Sequence, residues 1–554
     1  MKDEFKIIPL GGIGEIGKNA TLLEYRGDLA IVDFGFKFPP PDLFGVDFII
    51  PDYNYILKNK NKLKAIVLTH GHLDHIGGLK YLLEEVKPSI ILGSDLTLGL
   101  VKENIPPKLK SSLNFQVVKA RDVVKIGNFE FTFISVTHSI PASFGVVVKT
   151  NEGRVFFTGD YKFDAIPIDG KPMDIEKLES IAREGIDVLF SDSTNADESG
   201  LTGSESIVGQ NLYKIMEKAP GRIIVGTFST NIHRIQQIID ISERLGRKIA
   251  FDGRSIIEST KIAQKLGYLK INKDFEIDIS QVNSLPKKMV TIITTGTQGE
   301  PMSGLVRISN GEHNGIKITK GDVVIISADP IPGNERLISD VVNNLFRLGA
   351  FVYYRKEDGI HVSGHCSQED IRFMINLTKP KYFVPVHGEY KHLVFAKKIA
   401  EDEGINPQHI FILENGSGVS LSAHQLKRIP KISLGEILIE GNLKFIVKNQ
   451  DELTHIGERR ELASKGILLV MVFLKKNRQL ARPIHIEMRG FVLPKGTEGE
   501  ILKKIKLEVE KIINSFAKTK NFDSLSKEIE GKVKGILKQN VKPPMVISTI
   551  LTEK

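Results

Sequence analysis

At 554 residues the chain is too long for one hydrophobic core, and about two to four domains are expected. Its composition, 41% hydrophobic and 26% charged, is that of a soluble globular protein; no run of about 18 uncharged apolar residues occurs, which argues against a membrane span. The lone Cys366 excludes a disulfide framework within the chain and fits a reducing cytoplasm, and nearly all of the +9 net charge falls in residues 451–554, with 21 Lys and Arg against 13 Asp and Glu.

Residues 1 to about 60 read as strands and turns. The start, Met1-Lys2-Asp3-Glu4-Phe5, is charged and lacks the apolar core of a signal peptide, again as expected of a cytoplasmic protein. Phe5–Leu10, Ala20–Tyr25 and Leu29–Asp33 have the pattern of strands. The run Gly11-Gly12-Ile13-Gly14-Glu15-Ile16-Gly17 superficially matches a dinucleotide loop. No helix follows it, and close backbone packing between strands is the better reading. Asp33 either orients a ligating histidine from behind or caps a turn. Pro39–Asp47 reads as a rigid loop among apolar residues. There Asp47, with nearby carbonyls, is either a ligand for a hard cation such as calcium or a surface aspartate.

Ala65–Leu68 reads as a buried strand, and Leu79–Val86 has helical spacing that stops before Pro88. Between them lies Thr69-His70-Gly71-His72-Leu73-Asp74-His75. Three imidazoles and a carboxylate in one strand-to-helix loop suit a divalent cation such as zinc. Short strands alternate with helices through residue 190, which argues α/β layering. Three of those strands end in polar chemistry: Phe131–Val136 before His138, Val155–Phe157 before Asp160, and Val188–Phe190 before Asp192.

From about 196 to 350 longer helices alternate with strands, as in an inserted α/β domain with a parallel sheet. Within it, Arg222–Val225 leads into Ser229-Thr230-Asn231 and a helix carrying Arg234. That loop suits a phosphate, and a plain cap by Ser229 or Thr230 is the alternative. Residues 351–425 return to histidines, in His361-Val362-Ser363-Gly364-His365 and at His387. Seven of the 14 histidines fall in these motifs. Residues 426–450 read as a connector, and 451–554 as a small domain with a strand from Ile467 and a lysine-rich amphipathic helix, Gly499–Phe516. Its positive charge either follows a polyanion's phosphates or is a solvated surface kept for solubility.

The order His70-x-His72-x-Asp74-His75, His138, Asp160, Asp192, His365, His387 resembles metallo-β-lactamase nucleases with an inserted β-CASP domain. Thr69–Gly78, Ser191–Asn195, His361–His365 and Pro385–Tyr390 are similar to motifs of the ribonuclease J family. Leu73 and Cys366 depart from the usual pattern at positions that are not ligands. The resemblance implies a metallo-β-lactamase αββα sandwich in residues 1–195 and 351–425. It implies an α/β β-CASP domain in 196–350, a linker in 426–450 and an α+β domain in 451–554.

It further implies two zinc ions, with manganese as the alternative. His70, His72 and His138 hold one, Asp74, His75 and His387 the other, and Asp160 bridges both. Hydroxide generated between them attacks phosphorus, while His365, tuned by Asp192, supplies the leaving-group proton. Ser229, Thr230 and Asn231 grip phosphate, and His361, Val362, Ser363, Gly364 and His365 form a pocket for a 5′-monophosphate. The activity implied is 5′-to-3′ exonuclease with endonuclease action on single-stranded RNA, in mRNA decay and rRNA maturation. A homodimer or dimer of dimers, RNA-degradation complex partners, and a structural calcium at Gly45, Asp47 and Glu440 are also implied. Aspartate is more usual at the last position. The rivals are a DNA-processing nuclease of the same fold, a small-molecule metallohydrolase, and a catalytically silent RNA-binding partner. The histidine at 387 weighs against the first, the insertion between Asp192 and His361 and the basic C-terminal domain against the second, and the complete ligand set against the third.

Overall fold

A computed structural model describes residues 3–40, 43–300, 302–331, 334–441, 443–447, 454–516, 521–539 and 541–553. Pro41 and Asp42 of the expected rigid loop, and residues 448–450 of the expected connector, lie outside them. Two compact units are present. One comprises residues 1–38 and 48–446, the other 39–47 and 447–554.

In the first unit, an eight-stranded sheet runs in the order Gln425–Ile429, Gly418–Ser422, Phe5–Gly11, Ala20–Tyr25, Asp28–Val32, Leu63–Val67, Ile90–Gly93, Phe115–Val117. A six-stranded sheet runs Tyr382–Val386, Val188–Asp192, Gly153–Phe157, Ser143–Thr150, Phe129–Val136, Val123–Ile126. Period-two alternation decides how they stack, because successive side chains leave a strand on opposite faces. Phe129, Phe131 and Phe133 share a core with Leu23, Tyr25, Ala65 and Val67 of the other sheet. Their neighbours Ile134 and Val136 turn outward to pack with Leu178, Ile181, Ile371, Met374, Ala396 and Ile399. Those last six lie on the helices Ile175–Arg183, Gln368–Thr378 and Tyr390–Asp402. On the far face of the eight-stranded sheet, Leu22 and Ile66 meet Leu82, Leu83 and Leu98 from helices Leu79–Leu83 and Asp95–Asn104. Helix, sheet, sheet, helix is thus the layering, as the resemblance implied.

Between Asp192 and Tyr382 the chain builds a second layered body. Its five strands, ordered Lys248–Asp252, Val290–Thr294, Ile223–Gly226, Val323–Ile326, Phe351–Tyr353, are all parallel. Near-continuous apolar runs such as Ile223-Ile224-Val225 are what a sheet covered on both faces requires. Ile223 and Val225 pack toward Ile235, Ile238 and Ile239 of the helix Ile232–Arg244, while Ile224 packs toward Val341, Val342 and Leu345 of the helix Glu335–Arg347. The expected connector carries structure: Gln425–Ile429 edges the large sheet, and Glu436–Glu440 pairs antiparallel with Phe48–Pro51.

The glycine-rich run near the start is not a dinucleotide loop. Ile13–Gly14 pairs in parallel with Gly388–Glu389, and the chain re-enters the sheet at Ala20 without a helix.

In the second unit, Ile467–Leu474 pairs antiparallel with His485–Arg489 and in parallel with Met545–Thr552. Leu468, Val470, Val472 and Leu474 point to one face, where Ile505, Val509, Leu525, Ile529 and Val533 of helices Glu498–Ser515 and Phe522–Leu537 cover them. Pro39–Asp47 clusters with this unit, and Arg459 donates to Phe44 O at 3.1 Å. No helix among the described residues is long and apolar enough to cross a membrane.

Candidate active site

Five strand ends and one loop converge on one point. The Leu63–Val67 strand gives way to His70 and His72, then to the short helix Leu73–Ile76 bearing Asp74 and His75. His138 follows Phe129–Val136, Asp160 follows Gly153–Phe157, Asp192 ends Val188–Asp192, and His387 follows Tyr382–Val386. His365 arrives from the loop that leads back out of the inserted body.

These donors form three overlapping clusters: His70, His72, His138 and Asp160; Asp74, His75, Asp160 and His387; and Asp160, Asp192, His365 and His387. Within each, the candidate atoms lie within 4.8 Å of one another. His138 Nε2 is 3.0 Å from His72 Nδ1, and Asp160 Oδ2 is 3.5 Å from His70 Nε2. Asp160 Oδ2 is 3.1 Å from His75 Nε2, and Oδ1 is 3.0 Å from His387 Nδ1. Asp160 is common to all three clusters.

Surrounding groups fix how the rings present themselves. His138 Nδ1 donates to Gly364 O at 2.7 Å, which leaves Nε2 for the cluster. His75 Nδ1 donates to Asp33 Oδ2 at 2.8 Å, and the same carboxylate accepts from Thr69 N at 2.8 Å and Thr69 Oγ1 at 2.7 Å. Asp33 therefore orients a histidine and ties the loop down, the first of its two readings in the sequence; its bonds go to Thr69 and His75 and not to its own turn. His387 adopts a left-handed backbone, φ 52°, and its N–H donates to Gly12 O at 2.7 Å. The glycine run is thus the platform on which His387 stands. Asn19 had no signal in the sequence; its amide reaches Asp74 O at 3.3 Å and His75 Nε2 at 3.1 Å.

The electrostatics divide the cluster. Burial, reinforced by neighbouring imidazoles, holds His70 and His138 well below the ordinary histidine value, and burial takes His72 down to about 4. Burial opposes charge at His75 and His387 too. There the carboxylates win: Asp160, Asp74 and Asp33 raise His75 well above its ordinary value, and Asp160 and Asp74 push His387 up to about 10. His70 Nε2 and His387 Nε2 are buried without a hydrogen-bond partner among the described residues. Buried polar atoms are rarely left so. Two orphaned imidazole nitrogens facing carboxylates are the donor set that divalent cations take, and the residues fit that group.

Asp192 is buried and fully engaged. Its Oδ1 accepts from Thr194 N at 2.9 Å and Thr194 Oγ1 at 2.8 Å, and Oδ2 accepts from His365 Nδ1 at 2.9 Å. Burial lowers the His365 pKa, but Asp192 and Asp160 outweigh it and the net shift is upward. Ser363 Oγ accepts from Asn195 Nδ2 at 2.7 Å and from His365 N at 3.1 Å, bracing the loop from within. At the helix Ile232–Arg244 the cap is neither Ser229 nor Thr230. Asn231 Oδ1 accepts from Arg234 N at 3.1 Å, because Asn231 is the residue directly before the first helical turn. Ser229 and Thr230 are half-buried beside it. Gly45 and Asp47 fall in the second unit and Glu440, at the end of Glu436–Glu440, in the first.

Comparison with known proteins matches four stretches to family models. They are the metallo-β-lactamase superfamily over residues 13–199, the β-CASP domain of ribonuclease J over 220–345, the RNA specificity domain of zinc-dependent metallo-hydrolases over 352–412, and the ribonuclease J C-terminal domain over 454–553. Ribonuclease J of Synechocystis sp. is 36% identical, with 99% of this chain and 87% of the relative covered. Ribonuclease J of Thermus thermophilus is also 36% identical, with 99% and 96% covered. Among solved structures, a protein of unknown function from Enterococcus faecalis V583 shares the fold at a TM-score of 0.53 and 15% identity, covering 76% of this chain and all of that one. With its metal-ligating cluster and these full-length matches, the chain belongs to the ribonuclease J family of metal-dependent, RNA-binding nucleases.

Proposed function

We propose that the chain is a cytoplasmic ribonuclease that degrades single-stranded RNA from a 5′-monophosphate end and also cuts internally, serving mRNA decay and rRNA maturation. The observation that carries the reading is the pair of donor clusters sharing Asp160, with Asp192 and His365 in the third. His70, His72 and His138 would hold one cation and Asp74, His75 and His387 a second, with Asp160 common to both. Imidazole and carboxylate donors suit zinc, with manganese as the alternative. When bound, such cations supply Lewis acidity toward the attacked phosphate and acidify water.

The chain's own groups do the remainder. Asp192 holds the His365 imidazole through Nδ1, and its charge favours the protonated ring. His365 thereby carries the proton that the departing 3′-oxygen needs. Ser229, Thr230 and Asn231, at a helix start where backbone N–H groups favour anions, would take an RNA phosphate. The His361–Gly364 loop would take the 5′-phosphate. A homodimer or dimer of dimers and association with an RNA-degradation complex complete the proposal.

The test joins metal content to product analysis on RNA bearing 5′-monophosphate or 5′-triphosphate and on matched DNA. Mononucleotides are expected from the first, stalled or internal cuts from the second, and little cleavage of DNA. Equal cleavage of RNA and DNA would refute the substrate assignment. Undiminished turnover by a folded His72→Ala variant would refute the two-metal reading.

A further inference from the structure

Two buried cations lie behind the His361–His365 loop, and neither belongs to the donor clusters. Lys162, two residues beyond Asp160, is 1% exposed; its ammonium donates to Ser363 O at 3.1 Å and to Gly203 O at 3.0 Å. Arg234 is fully buried on the helix of the inserted body. Its Nη1 donates to Ile360 O at 2.8 Å and to the Ser327 hydroxyl, and its Nη2 to Glu205 Oε2 at 2.5 Å. Ser327 Oγ donates to the same Ile360 O at 2.6 Å. Glu205 Oε1 lies 3.9 Å from Lys162 Nζ, so one buried carboxylate stands between the two cations.

The loop is pinned further along. Gly364 O accepts from His138 Nδ1 at 2.7 Å, and His365 O accepts from Thr202 Oγ1 at 2.8 Å. Carbonyls 360, 363, 364 and 365 are therefore each held by a different element. Arg234 also sits in the first turn of the helix whose start Asn231 caps, by accepting from the backbone N–H at position 234. Buried ions are costly, and apolar residues would pack as well. Here both cations end on the carbonyls of a single loop.

The geometry points to Lys162, Glu205 and Arg234 as positioning residues that hold the His361–His365 loop, with the start of the Ile232–Arg244 helix, in register with the donor clusters. RNA would then meet its binding loop and the His365 proton at a set spacing. The inference rests on the reading of that loop as an RNA-binding element.

Arg234→Lys tests it. Lysine keeps a cation for Glu205 but lacks the planar fork that reaches Glu205 and Ile360 O together. The full-length, metal-loaded chain is assayed for metal content, unfolding temperature, hydrolysis of bis(p-nitrophenyl) phosphate, and KM and kcat on 5′-phosphorylated RNA. Displacing the loop is expected to raise KM for RNA about tenfold or more, with small-substrate turnover changed by less than about twofold. An unchanged KM for RNA would overturn the assignment, and so would a parallel loss on both substrates, which marks a merely structural role. If Arg234→Lys does not fold, the double variant Arg234→Met, Glu205→Met removes both charges together; a raised RNA KM supports the assignment and an unchanged one refutes it. His361→Ala separates the two readings. A KM raised by His361→Ala but not by Arg234→Lys sinks the positioning role alone, whereas no effect from His361→Ala sinks the loop reading and this inference with it.

Discussion

Gly35 lies just past the Asp28–Val32 strand, and its N–H donates to Asn19 O at 2.9 Å. A β-carbon placed there would fall 1.6 Å from Asp74 O, 2.0 Å from Asp74 C and 2.6 Å from His75 N. All three are backbone atoms of the His70–His75 loop, so no side-chain rotation relieves the clash. Real β-carbons essentially never approach such atoms within 3.0 Å, and Gly35→Ala must push the Asp74 carbonyl oxygen away by more than an ångström, with a smaller shift at His75 N. Misplacement of about 1 Å at a reacting centre costs on the order of 100-fold in rate, and overpacking of this kind destabilises by about 1–3 kcal/mol. The assay is metal content by elemental analysis with turnover on 5′-phosphorylated RNA, checked for cooperative unfolding. Gly27→Ala is the control. Its φ is +83° and its β-carbon would meet nothing within 4 Å, so it should lose only the left-handed backbone penalty of about 1–2 kcal/mol and keep its activity. A Gly35→Ala protein with wild-type metal content and turnover would refute the argument that this glycine exists to let the loop close.

Asp33→Asn replaces an acceptor for three donors with a group that carries N–H on one side, and should weaken metal binding by about 10–100-fold, read by metal titration. Glu436 tests the network under the glycine run. Partial burial works against its charge, but the Lys18 and Lys37 ammoniums hold its carboxyl down at about 2, against an ordinary 4.5. Its stabilising effect is thus complete above 4.5 and lost as pH falls through 2, so Glu436→Gln should be destabilised at pH 7 and lose that deficit towards pH 2 in denaturant titrations. Chelation should lower the unfolding temperature, since a cation at 100 times its Kd contributes about 2.7 kcal/mol; an unshifted transition in calorimetry would count against metal binding by the native cluster.

Much of the site is legible where its logic is local. His70 to His75 lie within one loop, and strand ends before His138, Asp160 and His387 follow from apolar runs a few residues long. The lysine-rich helix read as Gly499–Phe516 is Glu498–Ser515 because its apolar residues repeat at helical spacing. What escapes are partners distant in sequence. Asn19 meets His75 across 56 positions, and His138 meets Gly364 across 226. Neither carries a pattern, since a single amide or carbonyl has no periodicity. The cap at Asn231 escaped for another reason. Three neighbouring residues could all cap, and only the turn's phase selects among them. The connector read in 426–450 carries strands because its pairing partners, Gly418–Ser422 and Phe48–Pro51, complete sheets whose edges the local sequence does not announce.

The distribution of donors over the two sheets explains why so much bracing is needed. Asp33 and the His70–His75 loop extend from strands of the eight-stranded sheet, while His138, Asp160, Asp192 and His387 extend from the six-stranded one. Neither of the two clusters that include the His70–His75 loop lies on one sheet, so their geometry exists only when the two sheets stack on the aromatic core of Phe129, Phe131 and Phe133. Loop positions must then be set independently of local strand pairing. Asp33 ties down Thr69 and His75, the Gly12 carbonyl holds His387 in a left-handed turn, and Gly364 O fixes the His138 ring. The last of these bonds joins a donor-cluster histidine directly to the loop that carries His365. Packing within the sandwich and the return of the chain from the inserted body therefore meet at the same imidazole.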